Sequence, residues 1–448
     1  MLLFSCNSKK NNRTVLTGKI DNLDGEVYLE GSGLKINGEI SGKGDFKIRG
    51  DISQSNYFKL KTDKSEILIF LNPGDSININ FDNNNWISKI QYSGNRTNEL
   101  TYLLDYVKLY NSVADTFDIA KYYSLEPDKF LKTVDSYKLL FLDRLNKNDK
   151  LDREFKGFES QRILYIWSWD KNTYPKNHFL YAKQKAQLPD NYFNYIKELN
   201  LNDSVLMRFS DYTDFLKTYV DLQYYLKVEN DSQNKYDRNF KTKLQLDIIR
   251  HNFSNSKIRD YLLNNAMLSQ IEDLAVDSTD LAIFNSLCTN QEFKSTISTK
   301  FNSISPLLKG RPAPKFSIVS QSNKVISLDD FRGKYLYIDF WATYCAPCIR
   351  EMPYLNKLEN DFKGKNIVFL GLCIESKKEQ WEKIISVNKP SGIQVWLDKE
   401  QTDKIKNEFK VTAEPTYILI DKDGNYVDSR APRPSENIRD ILNGLKGI

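Results

Sequence analysis

The sequence has almost no histidine: His178 and His251 are the only two in 448 residues. A multi-histidine metal site is therefore excluded, and each of the two reads as a lone surface or capping residue rather than a ligand. Cysteine is sparse as well. Cys6, Cys288, Cys345, Cys348 and Cys373 are too few for a disulfide scaffold in a chain of this length. No apolar run approaches the ~18 residues that a membrane-spanning helix needs. Neither sign of charge dominates: 64 Lys and Arg against 59 Asp and Glu leave +5, spread thinly, which is no footprint for nucleic acid. What the chain does have is apolar bulk, 40% hydrophobic and 13% aromatic. That suffices for sizeable cores and excludes wholesale disorder. At roughly 150 residues per domain, the length predicts about three domains.

Three textures follow one another. Residues 13–95 read as an all-β, sandwich-like domain. Short segments at Thr14–Ile20, Glu26–Glu30, Leu34–Ile40, Asp45–Ile48, Tyr57–Lys61, Ile67–Leu71 and Ser76–Phe81 are separated by turn chemistry such as Asn72-Pro73-Gly74-Asp75. Residues 96–305 change to a helical period and read as an all-α domain. Leu100, Leu103, Leu104, Val107 and Tyr110 fall on one face, as do Phe130, Val134, Tyr137 and Phe141, and Phe215, Tyr219, Leu222 and Leu226. Pro127, Pro175 and Pro189 read as breakers between helices. Aromatics at this spacing are core residues rather than a ligand pocket.

From Gly310-Arg311-Pro312-Ala313-Pro314 onward, strands and helices alternate. Tyr335–Trp341 and Ile367–Ile374 are near-continuous apolar runs, as buried central strands require. Met352–Phe362 and Gln380–Ser386 are helical, Thr416–Ile420 is a strand, and Asp421–Asn425 is a hairpin turn into Tyr426–Ser429. Ser435–Leu445 closes with a helix. The order is that of an α/β domain with a mixed sheet over 306–448.

Within it, Asp339-Phe340-Trp341-Ala342-Thr343-Tyr344-Cys345-Ala346-Pro347-Cys348 resembles the active site of thioredoxin-fold proteins. More closely, it is similar to the TlpA/ResA-like, redoxin-type branch of envelope thiol-disulfide oxidoreductases. The resemblance runs from Gly310 to the C-terminus. It also rests on Pro312–Phe316, Ser327-Leu328, Phe331–Lys334, Gly371–Ser376, Glu414-Pro415-Thr416 and Ile420–Gly424. It implies a thioredoxin fold, a redox-active Cys345–Cys348 disulfide, and substrate contacts from Trp341, Tyr344, Glu414 and a cis Pro415. No cofactor is implied. A Cys-x-x-Cys-His haem site fails because Ile349 follows Cys348, and a zinc site lacks a second ligand pair.

The residues carry a physical reading of their own. A strand ends near Trp341 and a helix starts near Cys345, so the first sulfur meets unpaired N–H groups and the positive helix end, which favour its thiolate. The spacing puts the second sulfur one turn on, close enough to bridge. Pro347 is tolerated in that first turn, where its missing N–H would be unpaired anyway. Cys345 is thus the attacking thiol and Cys348 the resolving one. Two acids are candidates for taking the Cys348 proton: Asp339, at the buried strand position where classical thioredoxins keep an acid, and Glu375, where the branch keeps one. A carboxylate buried beside the sulfurs should have a raised pKa. Glu414, where an uncharged residue is usual, should raise the Cys345 pKa and favour basic clients. Cys373, on one strand face with Glu375 by alternation, and Cys288 both read as buried structural cysteines.

The expected function is a membrane-tethered oxidoreductase. It would reduce disulfides of envelope proteins, apocytochromes awaiting haem among them, with electrons from an integral-membrane thiol donor. Leu3-Phe4-Ser5-Cys6 reads like a bacterial lipobox, with Cys6 lipidated and a polar tether following. Too few residues precede Cys6 for a full signal, so residues 1–12 read as a truncated signal and tether. The location expected is the periplasm-facing cell envelope. Two alternatives stand beside this reading. One is a binding lipoprotein with a vestigial thioredoxin domain. The other is a peroxiredoxin-like peroxidase, whose usual Pro-x-x-x-Thr/Ser-x-x-Cys pattern is absent here, since Ile338 and Ala342 hold those positions.

Overall fold

The structure, a computed structural model, describes residues 13–31, 33–115, 118–228, 238–320 and 324–448. Cys6 lies outside them. The chain forms two compact units, one drawn from residues 1–235 and 247–262, the other from 236–246 and 263–448. It is sheet-rich at the N-terminal end, helical in the middle and thioredoxin-like at the C-terminal end.

The first unit opens with β1 (Arg13–Asp21), β2 (Tyr28–Gly31), β3 (Leu34–Asn37), β4 (Glu39–Ser41), β5 (Asp45–Asp51), β6 (Asn56–Lys61), β7 (Glu66–Leu71) and β8 (Ser76–Asp82). The short helix α1 (Trp86–Lys89) and β9 (Gln91–Gly94) follow. Two sheets form, ordered β4-β5-β1-β8-β9 and β3-β2-β6-β7. Alternation explains their packing. Ile77, Ile79 and Phe81 point inward from β8 and share one core with Leu16, Ile20 and Ile48 of the same sheet and Leu29, Leu60 and Ile69 of the other. Most of the expected strands recur, but Leu34–Ile40 is not one strand: it divides at Gly38 into β3 and β4, which join different sheets, and β9 is a polar edge strand with no apolar alternation to mark it.

Helices α2 (Thr97–Asp115), α3 (Ile119–Tyr123), α4 (Pro127–Asn146), α5 (Arg153–Ala182) and α6 (Ser210–Val228) continue the unit. The aromatic stripes are core for the most part: Phe130 stacks on Tyr174 with centroids 4.1 Å apart, and Tyr137 on Trp167 at 5.5 Å, whereas Tyr110 of α2 is exposed. Two expectations need correction here. Pro175 does not break a helix but lies inside α5. A proline there leaves the carbonyl four residues earlier without its N–H partner, and the Tyr192 hydroxyl donates to that Lys171 carbonyl at 3.0 Å instead. His178 is not a surface or capping residue. It is 1% exposed, with Nδ1 2.8 Å from the Tyr123 carbonyl and its ring against Tyr174. An ion pair is buried in the same unit. Arg162 donates through Nε and Nη2 to Glu159 at 2.8 and 2.6 Å, and the Tyr57 hydroxyl of β6 donates to Glu159 at 2.5 Å.

Helices α7 (Arg238–Asn252), α8 (Ser256–Glu272), α9 (Ser278–Leu287) and α10 (Gln291–Ile304) lead to the C-terminal part. There β10 (Ser317–Val319) and β11 (Val325–Ser327) make a hairpin. Next come β12 (Tyr335–Trp341), α11 (Ala346–Asp361), β13 (Ile367–Cys373), α12 (Lys378–Asn388), β14 (Ile393–Trp396), α13 (Lys399–Phe409), β15 (Thr416–Ile420), β16 (Tyr426–Asp428) and α14 (Ile438–Asn443). The sheet order is β14-β13-β12-β15-β16, parallel across β12, β13 and β14 and antiparallel beyond. β12 is buried along its whole length. Leu336, Ile338 and Phe340 pack with Ile405 and Phe409 of α13, while Tyr335 and Tyr337 pack with Leu355 and Leu358 of α11 and Ile438 of α14. Helices thus cover both faces of the sheet, which is why its central strands can be apolar throughout.

Candidate active site

The strand that ends at Trp341 delivers the chain directly to the start of α11. Cys345 is the N-cap of that helix, and its sulfur accepts the Cys348 backbone N–H at 3.1 Å. Pro347 sits in the first turn, where it breaks no helical bond. Cys345 and Cys348 are joined by a disulfide, with Cα atoms 5.3 Å apart. Oriented N–H groups at a helix start favour negative charge, so this is where a thiolate is stabilised once the bond opens.

The two acids occupy opposite environments. Asp339 shares the α11-facing side of β12 with Tyr337 and Trp341, and is 6% exposed. Its Oδ1 has no hydrogen-bond partner among the described residues. Burial, reinforced by Glu359 and then Glu351, raises its pKa to about 8. Glu375 is not the buried, raised carboxylate that was expected. Its side chain is 42% exposed. The Lys406 ammonium and the Tyr344 hydroxyl, which donates at 2.9 Å, hold its pKa below the ordinary carboxylate value. The reason is local: β13 ends at Cys373, and Glu375 takes a left-handed conformation with φ 48°, so strand alternation does not carry that far.

Around the disulfide, three loops are linked by side chains. Tyr344, 63% exposed, precedes Cys345 and reaches Glu375 in the loop after β13. Lys406 of α13 pairs with Glu375 and also donates to Glu414 at 3.3 Å. Glu414 joins Pro415 through a cis peptide bond. The Glu414 carboxylate is therefore paired with the Lys406 ammonium. On the other side of the loop, the Thr343 backbone N–H donates to Ser376 Oγ at 2.8 Å, and the Thr343 hydroxyl to Gln380 at 3.0 Å.

Trp341 is 1% exposed and presents no open face to a substrate; it packs with Cys345, Cys348, Met352, Cys373 and Trp381. Cys373 pairs with Trp341 across β12 and β13, and burial pushes its thiol up to about 12. Cys288 is buried at the C-terminal end of α9. Lys406 escaped the sequence reading. Only Thr402, Ile405 and Phe409 of α13 are buried, too few to stand out as a period in a lysine-rich stretch. Its one signal was Asp398, an N-cap accepting the Gln401 N–H at 2.9 Å. Among the described residues, no group of three or more His, Cys, Asp or Glu is arranged to hold a metal ion, and no helix is long and apolar enough to cross a membrane.

Comparison with known proteins places this geometry. The Redoxin family model matches residues 308–443. The thiol-disulfide oxidoreductase ResA of Bacillus thuringiensis is 32% identical over 119 residues, which is 27% of this chain and 67% of that protein. The thioredoxin-like protein YneN of Bacillus subtilis is 30% identical over 117 residues, 26% of this chain and 67% of that protein. Among solved structures, the thioredoxin domain of a thiol-disulfide oxidoreductase from Bacteroides vulgatus is 31% identical. The match covers 31% of this chain and 96% of that one, with a TM-score of 0.29. With its cysteine pair closed at the head of α11 and this likeness to ResA around it, the chain belongs to the redoxin-type thiol-disulfide oxidoreductases.

Proposed function

We propose that this oxidoreductase works as a reductase of protein disulfides in the cell envelope, with Cys345 as the attacking thiol and Cys348 as the resolving one. In the reduced enzyme, the Cys345 thiolate attacks one sulfur of the client disulfide. A Cys345–client bond forms and the other client sulfur leaves as a thiolate. Cys348 then attacks Cys345, closing the enzyme disulfide and releasing the second client thiolate. Two electrons pass to the client, which takes up two protons. A membrane-bound dithiol donor returns the enzyme to its reduced form by the reverse exchange.

The observation that carries this reading is Asp339: a buried acid with a pKa of about 8, on the face of β12 that meets the helix carrying Cys348. An acid in that range can take the Cys348 proton and give it up again near neutral pH. Glu375, ionised at the rim, is assigned with Tyr344, Glu414 and Pro415 to the surface that receives the client. Trp341 supports the disulfide from beneath. The reducing direction is supported by what lies between the cysteines. Ala346-Pro347 brings no positive charge, and carboxyl groups stand nearby, so the thiolate is less favoured and the couple more reducing. Lipidation at Cys6 would tether the enzyme to the membrane, and apocytochromes awaiting haem are one client class.

The decisive experiment is the reduction potential of the Cys345–Cys348 couple, read by alkylation and mass spectrometry in defined dithiol buffers. A value below about −220 mV agrees with a reductase, whereas one near −120 to −180 mV makes the protein an oxidase or isomerase. Cys348→Ser should in addition trap clients on Cys345 as mixed disulfides.

A further inference from the structure

We propose that Lys406 is the positioning residue of this site: it fastens the loop after β13 to the cis-proline loop and keeps the rim beside Cys345 from carrying two uncompensated carboxylates. This rests on the reading of Cys345 as the attacking thiol.

The geometry begins with α13. Its inner face is Thr402, Ile405 and Phe409, so Lys406 emerges beside Ile405 and one turn after Thr402, at the edge of the buried face. A lysine there lays its stem along the apolar surface and carries its ammonium outward. The ammonium ends between Glu375 and Glu414, donating to both. The second Glu375 oxygen is taken by the Tyr344 hydroxyl. Tyr344, Glu375 and Glu414 belong to the segment before Cys345, the loop after β13 and the cis-proline loop, respectively. One lysine with one tyrosine thus links the three segments that border the disulfide. With side-chain exposures of 22% for Lys406 and 12% for Glu414, the pair is shielded enough for its charge to be felt nearby.

The sign of the effect follows. The groups facing this region are Tyr344, Glu375 and Glu414 on the loops, Lys406 on α13, and the buried Asp339 and Cys373 of β12 and β13. With Lys406 present, the two rim carboxylates and one ammonium sum to a single negative charge. Without it, the rim carries two, which disfavours a thiolate at Cys345. Losing Lys406 also unlinks the loop after β13 from the cis-proline loop, while Tyr344 and Thr343 still hold the former, so client binding should weaken rather than vanish.

The test uses the reduced full chain with Lys406→Met, Lys406→Arg and the double variant Lys406→Met/Glu414→Gln. The Cys345 pKa is read from the pH dependence of iodoacetamide alkylation, with the labelled site located by mass spectrometry. The Met variant should raise that pKa by about half a unit or more, slowing alkylation at pH 7 about threefold. The Arg variant should stay near the parent, and the double variant should return most of the way. An unchanged Cys345 profile in Lys406→Met overturns the proposal. If the label falls first on Cys348, the assignment of the attacking thiol fails instead, and the Lys406 proposal is then decided by whether the profile of that thiol moves.

Discussion

Glu351 of α11 accepts two hydrogen bonds from Ser435, one from its backbone N–H at 3.0 Å and one from its hydroxyl at 2.7 Å. The bonds pin the segment leading into α14 against the helix that carries the cysteines. They also fix an acid on the side of α11 that looks toward Asp339. Glu359, two helical turns further along, accepts the Ser391 N–H at 2.6 Å and is the stronger of the two in its effect on Asp339. Asp339 is therefore kept protonated by burial first and by these acids second.

That arrangement makes stability depend on pH in a definite sense. Asp339 ionises near 4 in the unfolded chain but only near 8 in the folded one. Stability from this group is fully present below about pH 4 and is lost as pH rises toward about 8. Asp339→Asn removes the dependence. Denaturation of the oxidised protein should show the variant gaining on the parent across that window, by on the order of a few kcal/mol at its upper end. A difference that stays constant with pH would contradict the assigned environment.

If Asp339 takes the Cys348 proton as proposed, the same substitution should slow turnover while leaving the first alkylation of Cys345 nearly intact. A loss of about 10²-fold in the rate of mixed-disulfide resolution, by rapid quench and mass spectrometry, is the expected result.

Cys373 should be silent in the folded protein. With its thiol pushed up to about 12 and packed behind the disulfide, iodoacetamide at pH 8 should label Cys345 in the reduced native chain and reach Cys373 only after denaturant is added. Labelling of Cys373 at a comparable rate would reopen a redox role for it.

In the first unit, Glu159→Ala should destabilise by about 3–5 kcal/mol, because Arg162 is left charged and buried without its partner. Glu159→Leu/Arg162→Met, which removes both charges, should cost far less. Urea unfolding of the two variants side by side distinguishes a buried pair from a surface one.

Much of this was legible in the residues. Strand alternation such as Ile77-Asn78-Ile79-Asn80-Phe81 and the apolar runs of β12 and β13 gave away the sheets, because period 2 and continuous burial leave plain marks. The Cys-x-x-Cys pair announced its helix start through Pro347. What was hidden depends on contacts between distant segments. Lys406 and Glu375 are 31 positions apart, and no spacing rule links them. The exposure of Glu375 turns on one left-handed residue after a strand end. β14, Ile393–Trp396, is too short to show alternation. Pro175 misled because the group that compensates for it, Tyr192, lies beyond the helix.

That last contact has a further consequence. Helix α5 spans 30 residues, about 45 Å at 1.5 Å per residue, yet its run past the proline is supported by the Tyr192 hydroxyl, which comes from a later segment of the same unit. Cut out as a synthetic peptide, residues 153–182 should split into two short, fraying helices on either side of Pro175, and circular dichroism should show them. The continuous rod belongs to the assembled unit and not to the segment that forms it.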